Sequence, residues 1–264
     1  MNEQQRQQLE SHLAHLRLEI DPVLAKQYPS FAGKPYPLGR CKEIRNAILD
    51  KLHMQLAQEK IPEAIKPLAA ELSGGQALKP IWGSLRDEYF QNAILIDDWY
   101  IDAANDTVNP NKPRVEVVKL EKSGFSPISS FEQFCAIAQQ YWQVTLYKND
   151  VFPALAPFLP LVCVNQQGAC WLGAANDDMI SLARTSEFTL SERVLATLPS
   201  TPNHIKTAWY THYNHLPEHL LQQTQVDPVT YCQSYRIQHK YSDLLFRDEI
   251  VKAYLQLAKG VSVV

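Results

Sequence analysis

No stretch of this chain approaches the roughly 20 consecutive apolar residues that a membrane-spanning helix needs. The longest candidate, Phe152 to Val164, is interrupted by Pro153, Pro157 and Pro160. The first residues, MNEQQRQQLESHL, lack the apolar segment and small-residue cleavage site of a secretory leader. Positive charge is not in excess either. Lys and Arg number 25 against 28 Asp and Glu, a formal net charge of −3, so no global field draws in a phosphate backbone. The five cysteines (Cys41, Cys135, Cys163, Cys170, Cys232) form an odd set without a Cys-x-x-Cys pair, which points away from a disulfide framework or a cysteine zinc site. Phosphate-cradling glycine loops and the Gly-x-Ser-x-Gly elbow of serine hydrolases are also missing. The expectation from these absences is a cytoplasmic protein with reduced thiols. It has no cofactor and no metal, and neither membrane nor nucleic acid is a partner. A small molecule or another protein is the expected partner.

With 45% hydrophobic and 20% charged residues over 264 positions, the chain has the composition of a folded protein with a sizeable core. Leu9, Leu13, Leu16 and Ile20 recur at helical spacing and predict an amphipathic helix reaching the Asp21-Pro22 step. A second helix is predicted from Cys41 through Ile44, Ile48, Leu52 and Leu56, and a shorter one from Ala64 to Leu72, closed by Gly74-Gly75. The period then changes. Gln91 to Ile96 and Trp99 to Ala103 read as strands joined by an Asp97-Asp98 turn, and the valine-rich Arg114 to Leu120 reads as a third.

Ser129 to Glu132 and Thr189 to Glu192 resemble capping boxes opening helices, the first continuing on a stripe through Phe134, Ala138, Trp142, Thr145 and Leu146. Leu161 to Val164 and Cys170 to Leu172 predict a short hairpin turning at Gln166 to Gly168, and the remainder reads as helices broken by Pro202, Pro217 and Pro228. The fold class expected is α+β: helices plus a small antiparallel sheet, then a mainly helical C-terminal part. Lys, Ser, Gly and Pro cluster at 121–128 and mark a division into 1–122 and 123–264, as two domains or as parts of one.

The chemistry worth following lies at Tyr36-Pro37-Leu38-Gly39-Arg40-Cys41-Lys42-Glu43, where a cysteine opens the second helix. The positive end of a helix favours thiolate over thiol, and Arg40 and Lys42 add charge nearby, so a lowered pKa is expected. The alternative is that Cys41 is the first apolar residue of the stripe with Ile44 and Ile48.

A cysteine opening a helix, followed about fifty residues later by a two-stranded hairpin ending in Tyr-Ile-Asp, resembles the papain-like core of transglutaminases and arylamine N-acetyltransferases. The resemblance covers residues 36–108. It implies Cys41 as nucleophile and Asp102 as the acid that orients a base. The family histidine falls near Gln91-Asn92-Ala93, where this chain has none, so Asn92 takes the base's position. Without an imidazole there is no obvious acceptor for the thiol proton. Two readings follow. One is a noncatalytic binding or interaction protein with a ligand cleft near Cys41, in which Gln91 and Asn92 supply hydrogen bonds. The other is a cysteine-dependent acyl transferase or amide hydrolase, with a histidine arriving from His204, His212, His215, His219 or His239. Arg40 and Arg86 are the candidate substrate-binding cations, and Trp82 a candidate cleft wall.

Two further clusters are read as structural. Asp97, Asp98, Asp102, Asn105 and Asp106 offer oxygens to a hard cation, but suit turns better. His212, His215 and His219 are dense enough for a metal, but Pro217 interrupts the helix that would align them.

Overall fold

A computed structural model of the chain describes residues 1–31, 33–213, 219–222, 226–257 and 260–262. It is an α+β protein made of two compact units, Met1–Arg86 with Phe90–Pro127, and Asp87–Tyr89 with Ile128–Val264.

The first unit opens with α1 (Glu3–Gln27), whose N-terminus is closed by a reciprocal Asn2 and Gln5 capping box. Leu9, Leu13, Leu16, Ile20 and Leu24 bury one face of it. The helix does not stop at Pro22 as its sequence suggests. Burial of Leu24 two residues further on, with the Tyr28 N–H closing on the Leu24 carbonyl at 2.7 Å, carries it to Gln27. A hairpin of β1 (Ser30–Phe31) and β2 (Lys34–Pro35) leads to α2 (Cys41–Leu56), which buries Ile44, Ile48, Leu49 and Leu52, and then to α3 (Lys66–Ser73).

Five strands follow: β3 (Lys79–Leu85), β4 (Tyr89–Ile96), β5 (Trp99–Asp102), β6 (Glu116–Lys119) and, after the short α4 (Leu120–Ser123), β7 (Phe125–Ser126). Their order across the sheet is β6-β5-β4-β3-β7. β3 does not read as a strand in the sequence, because Pro80 and Gly83 interrupt its alternation. Gly83 is needed there, since a Cβ would lie 2.4 Å from the Ser126 carbonyl oxygen of β7. Pairing of Ile94 with Ile101 and of Ile101 with Val117 sets one face of the sheet against the helices, where Ile94, Ile96, Trp99, Ile101 and Val117 join the α1 and α2 leucines and isoleucines in one core.

The second unit contains α5 (Phe131–Trp142), β8 (Thr145–Lys148), β9 (Leu161–Val164), β10 (Ala169–Gly173), α6 (Asp177–Thr185), α7 (Thr189–Thr197), α8 (Asn203–Tyr213), α9 (His219–Gln222), α10 (Pro228–Ile237), α11 (Leu244–Gln256) and β11 (Val261–Ser262). The expected hairpin is present as β9 and β10, but it belongs to a four-stranded sheet ordered β11-β10-β9-β8. Thr145 and Leu146 are strand residues rather than the end of a helical stripe, because Gln143 adopts a left-handed φ of 54° and terminates α5. The cap of α5 is shifted by one residue: Ser130 accepts from the Gln133 N–H, and Glu132 pairs with Arg193 instead. At α7 no side chain caps the helix, and Glu192 is engaged by Gln233 and Arg236. Edge-on aromatic contacts of Phe158 with Phe188 and of Tyr235 with Phe246 build this unit's core. Among the described residues no helix is long and apolar enough to cross a membrane.

Candidate functional site around Cys41

The approach to Cys41 is fixed by the backbone. Gly39 has φ 73°, a conformation that other residues rarely adopt, and its N–H donates to the Thr107 carbonyl at 3.0 Å. Arg40, the residue before α2, lies between two rings, its Cζ 5.0 Å from the centroids of both Tyr28 and Phe31. It also donates to Glu43 Oε1 at 3.0 Å and to the Ser30 carbonyl. Arg40 thus joins the β1–β2 hairpin to α2, with only Nε left unpaired in the interior.

Cys41 is the first residue of α2 and packs against the core of the first unit. Asn92 Nδ2 donates to its Sγ at 3.3 Å. The lowered pKa expected from a helix N-terminus is not realised: burial pushes the thiol above its ordinary value, outweighing the Asn92 hydrogen bond, and the negative charge of Asp102 adds to the rise. A thiol in this setting stays protonated near neutral pH.

Strand alternation separates the remaining members. Residues two apart on a strand share a face. Tyr100 lies two residues before Asp102, and its hydroxyl donates to Asp102 Oδ2 at 3.2 Å, while Gln91 Nε2 donates to the same oxygen at 2.7 Å. Asn92 alternates with Gln91 and shares its face with Ile94, which looks toward the helices. The sheet therefore places Asn92 with Cys41 on one face and Gln91 with Asp102 on the other. Asp102 cannot orient the side chain that touches the thiol. It organises the chain after β5 instead, its Oδ1 accepting the Ala104 N–H at 2.8 Å.

Burial lifts the Asp102 carboxyl to about 6, against the lowering effects of the Ala104, Gln91 and Tyr100 hydrogen bonds. A carboxyl whose pKa is raised on folding favours the fold below its unfolded value of 3.8 and loses that contribution as pH climbs through about 6. The gap corresponds to about 3 kcal/mol. Asp102→Asn carries a constant cost, because either orientation of its amide sets an NH2 against a donor, the Ala104 N–H on one side or Gln91 and Tyr100 on the other. Urea unfolding of both proteins is expected to show the unsubstituted chain losing about 2 kcal/mol relative to the variant between pH 4 and 7.5, since the unfolded carboxyl is already partly ionised at pH 4. A difference independent of pH would contradict this.

The other expected residues are dispersed. Trp82 on β3 stacks on Phe90 of β4 with centroids 5.3 Å apart. Arg86 is exposed in the β3–β4 turn at φ 58°, its aliphatic stem against Gly124. Asp97 and Asp98 form the predicted turn, with Asp98 paired to Lys119. Asp106 is not loop chemistry: it binds Arg17, a fully buried side chain that sequence reading overlooked. Arg17 donates to Asp21 at 2.8 Å, to Asp106 at 3.0 Å and to the Ala103 carbonyl at 2.6 Å, so it ties α1 to the segment that follows Asp102.

Among the described residues no group of His, Cys, Asp and Glu is arranged to hold a metal. His204 and His212 lie on α8 and His239 follows α10, all in the second unit, with His212 Nδ1 beside the Ala208 carbonyl and His239 Nδ1 beside the Tyr241 hydroxyl. His215 and Pro217 lie outside the described residues, as does the side chain of His219. Comparison with protein-family models, with curated proteins and with solved structures finds no match.

Proposed function

We propose that this protein is a noncatalytic binding or interaction protein on a papain-like scaffold, with a small molecule or another protein as its partner. The observation that carries the reading is the amide of Asn92 against the Cys41 sulfur, with Asp102 on the opposite face of the sheet. An amide nitrogen has no lone pair free to accept the thiol proton, and general acid–base help of this kind is commonly worth about 10²–10⁴ in rate. The order of elements supports the scaffold: a cysteine opens α2, and Asn92 and Asp102 sit on the adjacent antiparallel strands β4 and β5.

Carbamidomethylation of the native chain tests the reading. With iodoacetamide at pH 7 and peptide mapping, Cys41 is expected to label no faster than a thiol of ordinary pKa. Selective labelling of Cys41, faster than free cysteine, would return the acyl-transferase or amide-hydrolase reading to first place.

A further inference from the structure

The segment that leads into Cys41 also forms one side of a cavity of about 430 Å³. This is within the range of small-molecule sites, about 300–1,000 Å³. Leu18, Pro22 and Ala25 of α1 give it an apolar wall, and Leu18 is 61% exposed although it is a large aliphatic side chain. Asp21, Asp106 and Arg114 give it a charged one.

The state of these charges selects the ligand. Asp21 accepts from Arg17 Nε and from the Tyr36 hydroxyl on one oxygen, and from Arg17 Nη2 and Arg114 Nη1 on the other. Asp106 takes Arg17 Nη1 and Nη2 on its two oxygens. Both carboxylates are therefore occupied and have little left to offer a cation. Arg17 is equally committed. Arg114 is not: its side chain is 50% exposed, the one hydrogen bond its guanidinium makes among the described residues is the 3.3 Å contact of Nη1 with Asp21, and its Nε is 3.9 Å from Asp106, beyond hydrogen-bond reach. Most of its donors are unused by the described residues, and a guanidinium fork fits a carboxylate.

We infer that this cavity is a carboxylate site, binding an amphipathic monocarboxylate whose anionic head pairs with Arg114 and whose apolar body lies on Leu18, Pro22 and Ala25. A ligand here presupposes the binding role proposed above, while the chemistry of Cys41 does not enter. Asp21, held by Arg17 in the ion network, ties Arg114 to the cavity.

Sodium hexanoate is a suitable probe, with hexylamine as its cationic counterpart, both titrated into the full chain and followed by amide NMR shifts. Hexanoate is expected to bind saturably in the millimolar range, as a few-atom ligand should, shifting Leu18, Ala25 and Tyr36, and hexylamine to leave them unmoved. Arg114→Met, which keeps the aliphatic stem, is expected to weaken hexanoate binding about tenfold. Leu18→Asp, on the exposed wall and outside the ion network, is expected to weaken it similarly and decides the matter alone if Arg114→Met fails to fold. No saturable shift, equal binding of hexylamine, or unchanged hexanoate affinity in a folded variant would overturn the site. Iodoacetamide mapping of Cys41 is read independently, so failure of the cavity and failure of the noncatalytic reading remain distinct results.

Discussion

Arg17→Leu is expected to destabilise the chain by about 3–5 kcal/mol. The side chain is wholly buried, and its guanidinium satisfies Asp21, Asp106 and the Ala103 carbonyl together. Replacing it with leucine preserves most of the apolar volume and leaves Asp106, 8% exposed as a side chain, without its principal counter-charge. Arg114 does not substitute, because its Nε stands 3.9 Å away and its side chain is half in solvent. Burying an uncompensated charge costs far more than the intact pair contributes, so the penalty reflects what is left behind rather than the worth of the bridge. Urea unfolding followed by tryptophan fluorescence measures it. A loss below about 1 kcal/mol, the range of exposed ion pairs, would show that the network is solvated.

Asn92→His is expected to create the reactivity that the native chain lacks. The substitution sets an imidazole within reach of Cys41 Sγ, which Asn92 now approaches to 3.3 Å. A thiol raised above the ordinary 9.0 is at most about 0.1% thiolate at pH 6, whereas a cysteine paired with imidazolium is largely ionised there. Thiolate content thus rises by at least about 10³, while nucleophilicity falls by roughly 10–30-fold as the thiol pKa drops, leaving a net gain of at least about 30-fold in alkylation rate at pH 6. The gain should stop short of acyl-transfer turnover, because Asp102 lies across the sheet and cannot hold the new ring. The pH–rate profile of iodoacetamide labelling, compared between the two proteins, measures this. An unchanged profile in the folded variant would mean that position 92 does not address the thiol.

Much of this architecture is legible in the residues. The spacing of Leu9, Leu13, Leu16 and Ile20 and of Ile44, Ile48 and Leu52 gives both long helices of the first unit, and Asp97-Asp98 between two apolar runs gives the β4–β5 turn. What escaped has physical causes. Pro22 usually ends a helix, but the burial of Leu24 beyond it decides otherwise. The stripe from Phe134 to Leu146 continues at helical spacing in sequence, yet a single left-handed residue, Gln143, switches the chain to β8. Arg17 was readable: it stands four residues after Leu13 and three before Ile20, on the buried face, with Asp21 one turn further along. A charge on an apolar stripe with an opposite charge at i+4 is the mark of an interior ion pair.

At the candidate site, the missing histidine is legible in the sequence, and the sidedness only in part. Tyr100 and Asp102 are two apart, as are Asn92 and Ile94, so alternation alone assigns each pair to a face. Only the pairing of β4 with β5 reveals that the faces differ. The pKa of Cys41 depended on burial, which the position at a helix start does not disclose.

The protonation state of the Cys41 thiol tests the central claim most directly. With cysteine labelled at ¹³Cβ, the Cys41 resonance can be followed through a pH titration of the native chain. It is expected to hold its thiol shift through neutrality and to move only above the ordinary 9.0, as burial beside an amide requires. A midpoint below about 7, the mark of a thiol paired with a base, would contradict the account.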